Sequence, residues 1–153
     1  PPLIGNLYQT EMVYLARKTL FTGMGAWLYP NWNAIPVDQD RPDMGSLKTI
    51  IRKLKEGERV LVFPEGERTL DGVIGEAAPG IGLVAVKSGA VIQPVRISGA
   101  REALPRGSGK IRLARITVTI GKPIRLTPED TRGDSKECYD RIAKRIMAAI
   151  REL

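Results

Sequence analysis

Between Arg59 and Gly72 the sequence reads RVLVFPEGERTLDG, an apolar run that breaks into a proline, a glycine, two glutamates, a guanidinium and a hydroxyl. These residue types in this order could bind an anion. Arg68 offers a planar fork suited to two parallel hydrogen bonds with a phosphate, each charged bond contributing about 1.5–3 kcal/mol. Thr69 adds a hydroxyl, and Glu65 a carboxylate able to accept from sugar or glycerol hydroxyls or to hold Arg68 in place. Gly66 lets a ligand reach the backbone with no Cβ in the way, and Pro64 stops the preceding strand by fixing φ. The same composition also fits a surface turn whose charges are merely solvated, because short charged turns are common. Residue types alone leave both readings open.

An anion site needs a firm mount, and the flanking pattern predicts one. Arg59 to Phe63 reads as a strand interior to a sheet, with Pro64 to Thr69 a loop at its carboxyl end, which is where ligands collect in open α/β sheets. Upstream, EMVYLAR (Glu11 to Arg17) is strand-like and Ile35 to Val37 is a second short strand. Met44, Leu47, Ile50, Ile51 and Leu54 recur at helical spacing, so the pattern predicts an amphipathic helix over Met44 to Lys55, ended by Gly57. Downstream, GIGLVAVKSGA predicts a short helix and VIQPVRISGA a buried strand, while KIRLARITVTIGKPI predicts a strand pair or one long strand. After a turn at Thr127 to Asp130, Cys138, Ile142, Ile146, Ala149, Ile150 and Leu153 mark a C-terminal amphipathic helix. Strands alternating with helices predict a single α/β domain over residues 1–153, its mixed or largely parallel sheet flanked by helices.

Composition narrows the partners. A chain of 153 residues can bury about two-thirds of its unfolded surface. Its formal net charge of +7 favours polyanions, either an anionic membrane or phosphorylated small molecules. Nucleic acid is not expected, since the basic residues are spread along the chain and no nucleic-acid motif is present. One cysteine permits no internal disulfide, and with no histidine it makes no transition-metal set, so no metal is expected. No apolar run approaches the roughly 18 residues that span a bilayer. The usual neutral-pH base is absent altogether, because the chain contains no histidine.

The order of residues in FPEGERT resembles the F-P-E-G-x-R-S/T block of the glycerolipid acyltransferases, typified by 1-acyl-sn-glycerol-3-phosphate acyltransferase. AIPVDQDRPD (34–43) falls where that family has its second block, and VIQPVRI (91–97) where it has its fourth. The resemblance covers the middle two-thirds of the chain. It implies transfer of an acyl chain from acyl-CoA or acyl-carrier protein, the co-substrate, to a lysophospholipid hydroxyl, most simply of 1-acyl-glycerol-3-phosphate, giving phosphatidate. It implies no separate cofactor, and a place on the cytoplasmic face of a membrane, peripheral or anchored by a segment outside this chain. Carried over residue by residue, it assigns Glu65, Gly66, Arg68 and Thr69 to substrate binding, with Arg41 from the second block and Glu65 also in support of catalysis. Pro94 would shape the wall of a substrate channel.

The departures are as informative. The family's H-x-x-x-x-D block, whose histidine acts as general base, has no counterpart here; the resemblance places it shortly before Pro1 and implies a truncated domain, inactive by itself. A naturally inactive form, a non-catalytic lipid-phosphate or membrane-surface binding module, is the alternative. Gln39 stands at the usual arginine position of the second block, with Arg41 two residues on, and Ala77, Ala78 and Pro79 stand where a basic residue often precedes the glycine matching Gly80.

Other features have plainer readings. Cys138 lies on an apolar helix face and reads as core. Lys136, Arg141, Lys144, Arg145 and Arg151 read as the solvated face of the last helix, with a lipid-facing role the other reading. GMGAW reads as a close-packing turn. Trp27, Tyr29 and Trp32 fit either a core or the lipid–water boundary.

Overall fold

A computed structural model describes Ile4 and residues 11–17, 33–37, 44–66, 73–103 and 112–153. The aromatic cluster at Trp27, Tyr29 and Trp32 lies outside them, as do Gln39 and Arg41 of the second block and Arg68 and Thr69 of the third. The fold class is α/β, as expected, with parallel strands and helices. Cα proximity divides the chain into two compact units, Pro1–Phe63 with Pro79–Ala90, and Pro64–Ala78 with Val91–Leu153.

The first unit is built around β1 (Val13–Arg17), which pairs in parallel with β2 (Ala34–Val37) and β3 (Val60–Leu61) in the order β2-β1-β3. Register sets Tyr14 opposite Ala34 and Val13 opposite Val60, and Val13 donates its amide hydrogen to the Arg59 carbonyl at 2.7 Å. Val13, at the start of this central strand, keeps 2% of its surface, and Met12 just before it 8%. Helix α1 spans Met44–Lys55, with Ile50 buried and Arg52, Lys53 and Lys55 in its last turn, where cations offset the negative helix end. It packs on α2 (Ile81–Ser88) as well as on β2 and β3. Gly80, at φ +100°, makes that packing possible, because a Cβ there would stand 2.8 Å from Leu47 Cδ1.

The expectation for Arg59 to Phe63 is corrected in two respects. The strand is two residues long, and among the described residues it pairs with β1 alone, at the edge of the sheet instead of its interior. Phe63 is 47% exposed. An apolar run reports that side chains lose water, and Val60, Leu61 and Val62 are indeed half-buried. It does not report how many neighbours pair the backbone, and Pro64 removes the next ladder donor.

In the second unit β4 (Val95–Ser98) pairs antiparallel with β5 (Thr117–Ile120), and reciprocal bonds between Ile92 and Ile124 extend the pairing. The long alternating segment thus yields a four-residue strand, and residues 112–116 form none. A four-residue helix, α3 (Ala100–Ala103), follows β4. Helix α4 (Lys136–Arg151) starts at Ser135, whose hydroxyl accepts from the Cys138 amide at 3.4 Å, and packs on β4. Its buried face is Cys138, Ile142, Ile146 and Met147, so Cys138 is core as expected, while Ala149 and Ile150 are half-buried. Burying a side chain such as Ile142 contributes about 1.5–3 kcal/mol. Among the described residues no helix is long and apolar enough to cross a membrane.

Candidate functional site

Pro64, Glu65 and Gly66 form a turn directly after the apolar run. Two hydrogen bonds fasten it to the segment 75–78: the Ala78 amide donates to the Pro64 carbonyl at 2.7 Å, and the Gly75 amide donates to Glu65 Oε2 at 2.8 Å. The half-buried Glu65 carboxylate is therefore held by one oxygen. Among the described residues Oε1 accepts no hydrogen bond. Gly66 adopts φ +74°, the left-handed region that disfavours a Cβ, and a Cβ there would approach Ala78 Cβ to 3.2 Å. Glycine is thus favoured by both backbone conformation and space. Of the residues assigned from the sequence, Glu65 and Gly66 stand side by side here; Arg68, Thr69 and Arg41 lie outside the described residues.

Three participants had no local signal in the sequence. Gly75 and Ala78 are ten or more residues away from the turn they fasten. Arg151, at the end of α4, donates through Nη2 to the Gly75 carbonyl at 2.7 Å and to Glu76 Oε1 at 3.3 Å. Arg96 of β4 in turn donates through Nη1 to the Arg151 carbonyl at 3.3 Å. The reading of the α4 cations as a solvated face holds, since all five are exposed, and three of them also make contacts. Arg151 is engaged, Arg141 Nη2 donates to the Asp130 carbonyl at 2.7 Å, and Arg145 pairs with Asp130 Oδ1 at 2.9 Å. Periodicity identified the exposed side of the helix correctly but could not see what lies against it.

Asp130 is the best-held carboxylate in that region. Its Oδ2 accepts from the Thr127 amide at 2.8 Å and from the Thr127 hydroxyl at 3.0 Å. Those bonds, followed by Arg145, keep its carboxyl below the ordinary aspartate range. Glu137 is also lowered, first by the Ser135 side chain. Both groups stabilise α4 and its approach, and neither belongs to the turn. A cavity of about 540 Å³ lies at the amino ends of the parallel strands, lined by Glu11, Val13, Asn33, Gly57, Glu58 and Arg59. None of these lining residues belongs to the motif.

Residues 1–98 match the family model described as Acyltransferase. A chloroplastic 1-acyl-sn-glycerol-3-phosphate acyltransferase of Arabidopsis thaliana is 33% identical over 101 residues, covering 64% of this chain and 28% of that protein. A 1-acyl-sn-glycerol-3-phosphate acyltransferase of Streptococcus pneumoniae is 29% identical over 145 residues, 94% of this chain and 51% of its own length. The crystal structure of the 1-acyl-sn-glycerophosphate acyltransferase PlsC from Thermotoga maritima superposes with a TM-score of 0.72 at 25% identity, covering 94% of this chain and 57% of that one. The chain thus spans from under a third to just over half the length of these proteins.

Proposed function

The chain belongs to the acyltransferase family, and on that premise we propose that these 153 residues carry the acceptor-binding part of an acyl-transfer site. The reaction is transfer of an acyl chain from the thioester of acyl-CoA or acyl-carrier protein to the free hydroxyl of a lysophospholipid, with 1-acyl-glycerol-3-phosphate as acceptor and phosphatidate as product. The observation that carries this reading is the turn at Pro64 to Gly66, in which Glu65 is fixed through Oε2 while Oε1 accepts nothing among the described residues. In this assignment Oε1 accepts from the acceptor's glycerol hydroxyl, and Gly66 admits the glycerol backbone. Arg68 and Thr69 bind the phosphate, Arg68 through its two-pronged fork. The names of the relatives, as 1-acyl-sn-glycerol-3-phosphate acyltransferases, support the choice of acceptor.

The hydroxyl must lose its proton as it attacks the thioester carbonyl, and the thiolate leaves with a proton. A positioned base contributes about 10²–10⁴-fold to such a step. With no histidine among these residues, none of them is assigned that role. The net charge of +7 supports the further reading that the chain works against an anionic membrane, on its cytoplasmic face.

Calorimetry with 1-acyl-glycerol-3-phosphate tests the binding, and acyl transfer from a thioester donor is assayed beside it. Saturable binding that is lost without the phosphate, with little or no transfer, is expected. Absence of binding refutes the acceptor assignment. Robust transfer by these 153 residues overturns the division of labour and makes Glu65 and Asp38 the candidate bases.

A further inference from the structure

We propose that Arg151 is a positioning residue for the acceptor site, fixing the Glu65 carboxylate from the far end of the chain by holding the Gly75 backbone. The inference rests on the assignment of Glu65 to the acceptor and adds a residue outside the segment 1–98 that the family model matches. The contacts form a series. Arg96 of β4 holds the Arg151 carbonyl at 3.3 Å, the Arg151 guanidinium holds the Gly75 carbonyl at 2.7 Å, and the Gly75 amide holds Glu65 Oε2 at 2.8 Å. The segment 73–78 has no helix or strand ladder of its own to keep Gly75 in place. It takes its position from such tethers.

Arg151 is well placed for this. The backbone that carries it is the end of a sixteen-residue helix anchored by buried Ile142, Ile146 and Met147. The cation also sits at the negative end of that helix. Its ion pair with Glu76 is not the main attraction, because the Glu76 side chain is 83% exposed and such pairs contribute little. The shorter contact, to the Gly75 carbonyl, is the one aligned with the site. Nη2 carries two hydrogens and serves both acceptors at once, which a lysine ammonium on a flexible stem reproduces only in part.

The test is a double-mutant cycle on the whole chain, read by calorimetry with 1-acyl-glycerol-3-phosphate and preceded by a thermal melt of each variant. Arg151→Met, which keeps the apolar stem, should weaken binding about tenfold, and Arg151→Lys about threefold. Glu76→Gln, which removes the ion pair and leaves the carbonyl contact, should stay within about twofold of wild type. In a Glu65→Gln background, both Arg151 substitutions should cost less than about twofold more, because the group they position has lost its charge. A merely structural role would cost the same in both backgrounds, and that result overturns the proposal. So does wild-type affinity in Arg151→Met. If Arg151→Met does not fold, Arg151→Lys in the two backgrounds decides by the same comparison. A wild-type chain that binds no lysophosphatidate sinks the acceptor reading, and this one with it; a wild-type chain that binds, with no coupling between Arg151 and Glu65, sinks this one alone.

Discussion

Replacing Gly66 by alanine puts a methyl group where the structure leaves no comfortable place for one. At φ +74° an L-residue costs about 1–2 kcal/mol relative to the right-handed region. The new Cβ would also lie 3.2 Å from Ala78 Cβ, inside the roughly 3.5–4.0 Å optimum for carbon pairs. The turn has two ways out. It can keep its shape and carry the strain, or it can move away from 78 and lose the Ala78 amide bond to the Pro64 carbonyl, worth about 0.5–1.5 kcal/mol. These are alternatives, so the cheaper sets the cost, about 0.5–2 kcal/mol. That leaves the fold standing but displaces the turn that presents Glu65. Denaturant midpoints should therefore fall modestly, while affinity for 1-acyl-glycerol-3-phosphate falls by about tenfold or more. Gly66→Asn should be milder, since asparagine tolerates the left-handed region. Adding Ala78→Gly to Gly66→Ala should relieve the steric part and leave the conformational part. A Gly66→Ala chain with wild-type stability and affinity would refute the geometry assigned to the turn.

Arg68→Ala should weaken acceptor binding by about 2–4 kcal/mol without unfolding the chain, and Arg68→Lys should recover part of that loss; calorimetry checks both, and wild-type affinity in both would remove Arg68 from the phosphate site. Asp130 is held below its unfolded value by Thr127 and Arg145, so its contribution is present above the ordinary aspartate pKa of about 3.9 and lost as pH falls through the lower, folded value. Denaturant midpoints taken down the acid limb should accordingly be flatter in Asp130→Asn. Sedimentation with anionic vesicles should weaken as salt rises from 0.1 M to 1 M, over which the Debye length shrinks from about 10 Å to 3 Å; indifference to salt and to anionic lipid would refute electrostatic attachment.

Much of this chain is local, and the local part was legible in the residues. Helix α1 over Met44–Lys55 follows from apolar residues at helical spacing and a glycine two residues past its end; α4 follows from the same periodicity after a Thr-Pro-Glu-Asp turn. The turn over Pro64 to Gly66 was legible as well, because proline and glycine constrain the backbone over a few residues. What could not be read is whatever depends on a partner distant in sequence. The apolar run at 59–63 states that side chains are shielded, yet the position of β3, at the sheet edge among the described residues, depends on which backbones lie beside it. Arg151 looks like any exposed cation of an amphipathic helix until folding brings the Gly75 carbonyl, 76 residues earlier, to 2.7 Å. Periodicity encodes which face of a helix leaves water; what an exposed side chain then meets is decided by the path of the chain in three dimensions.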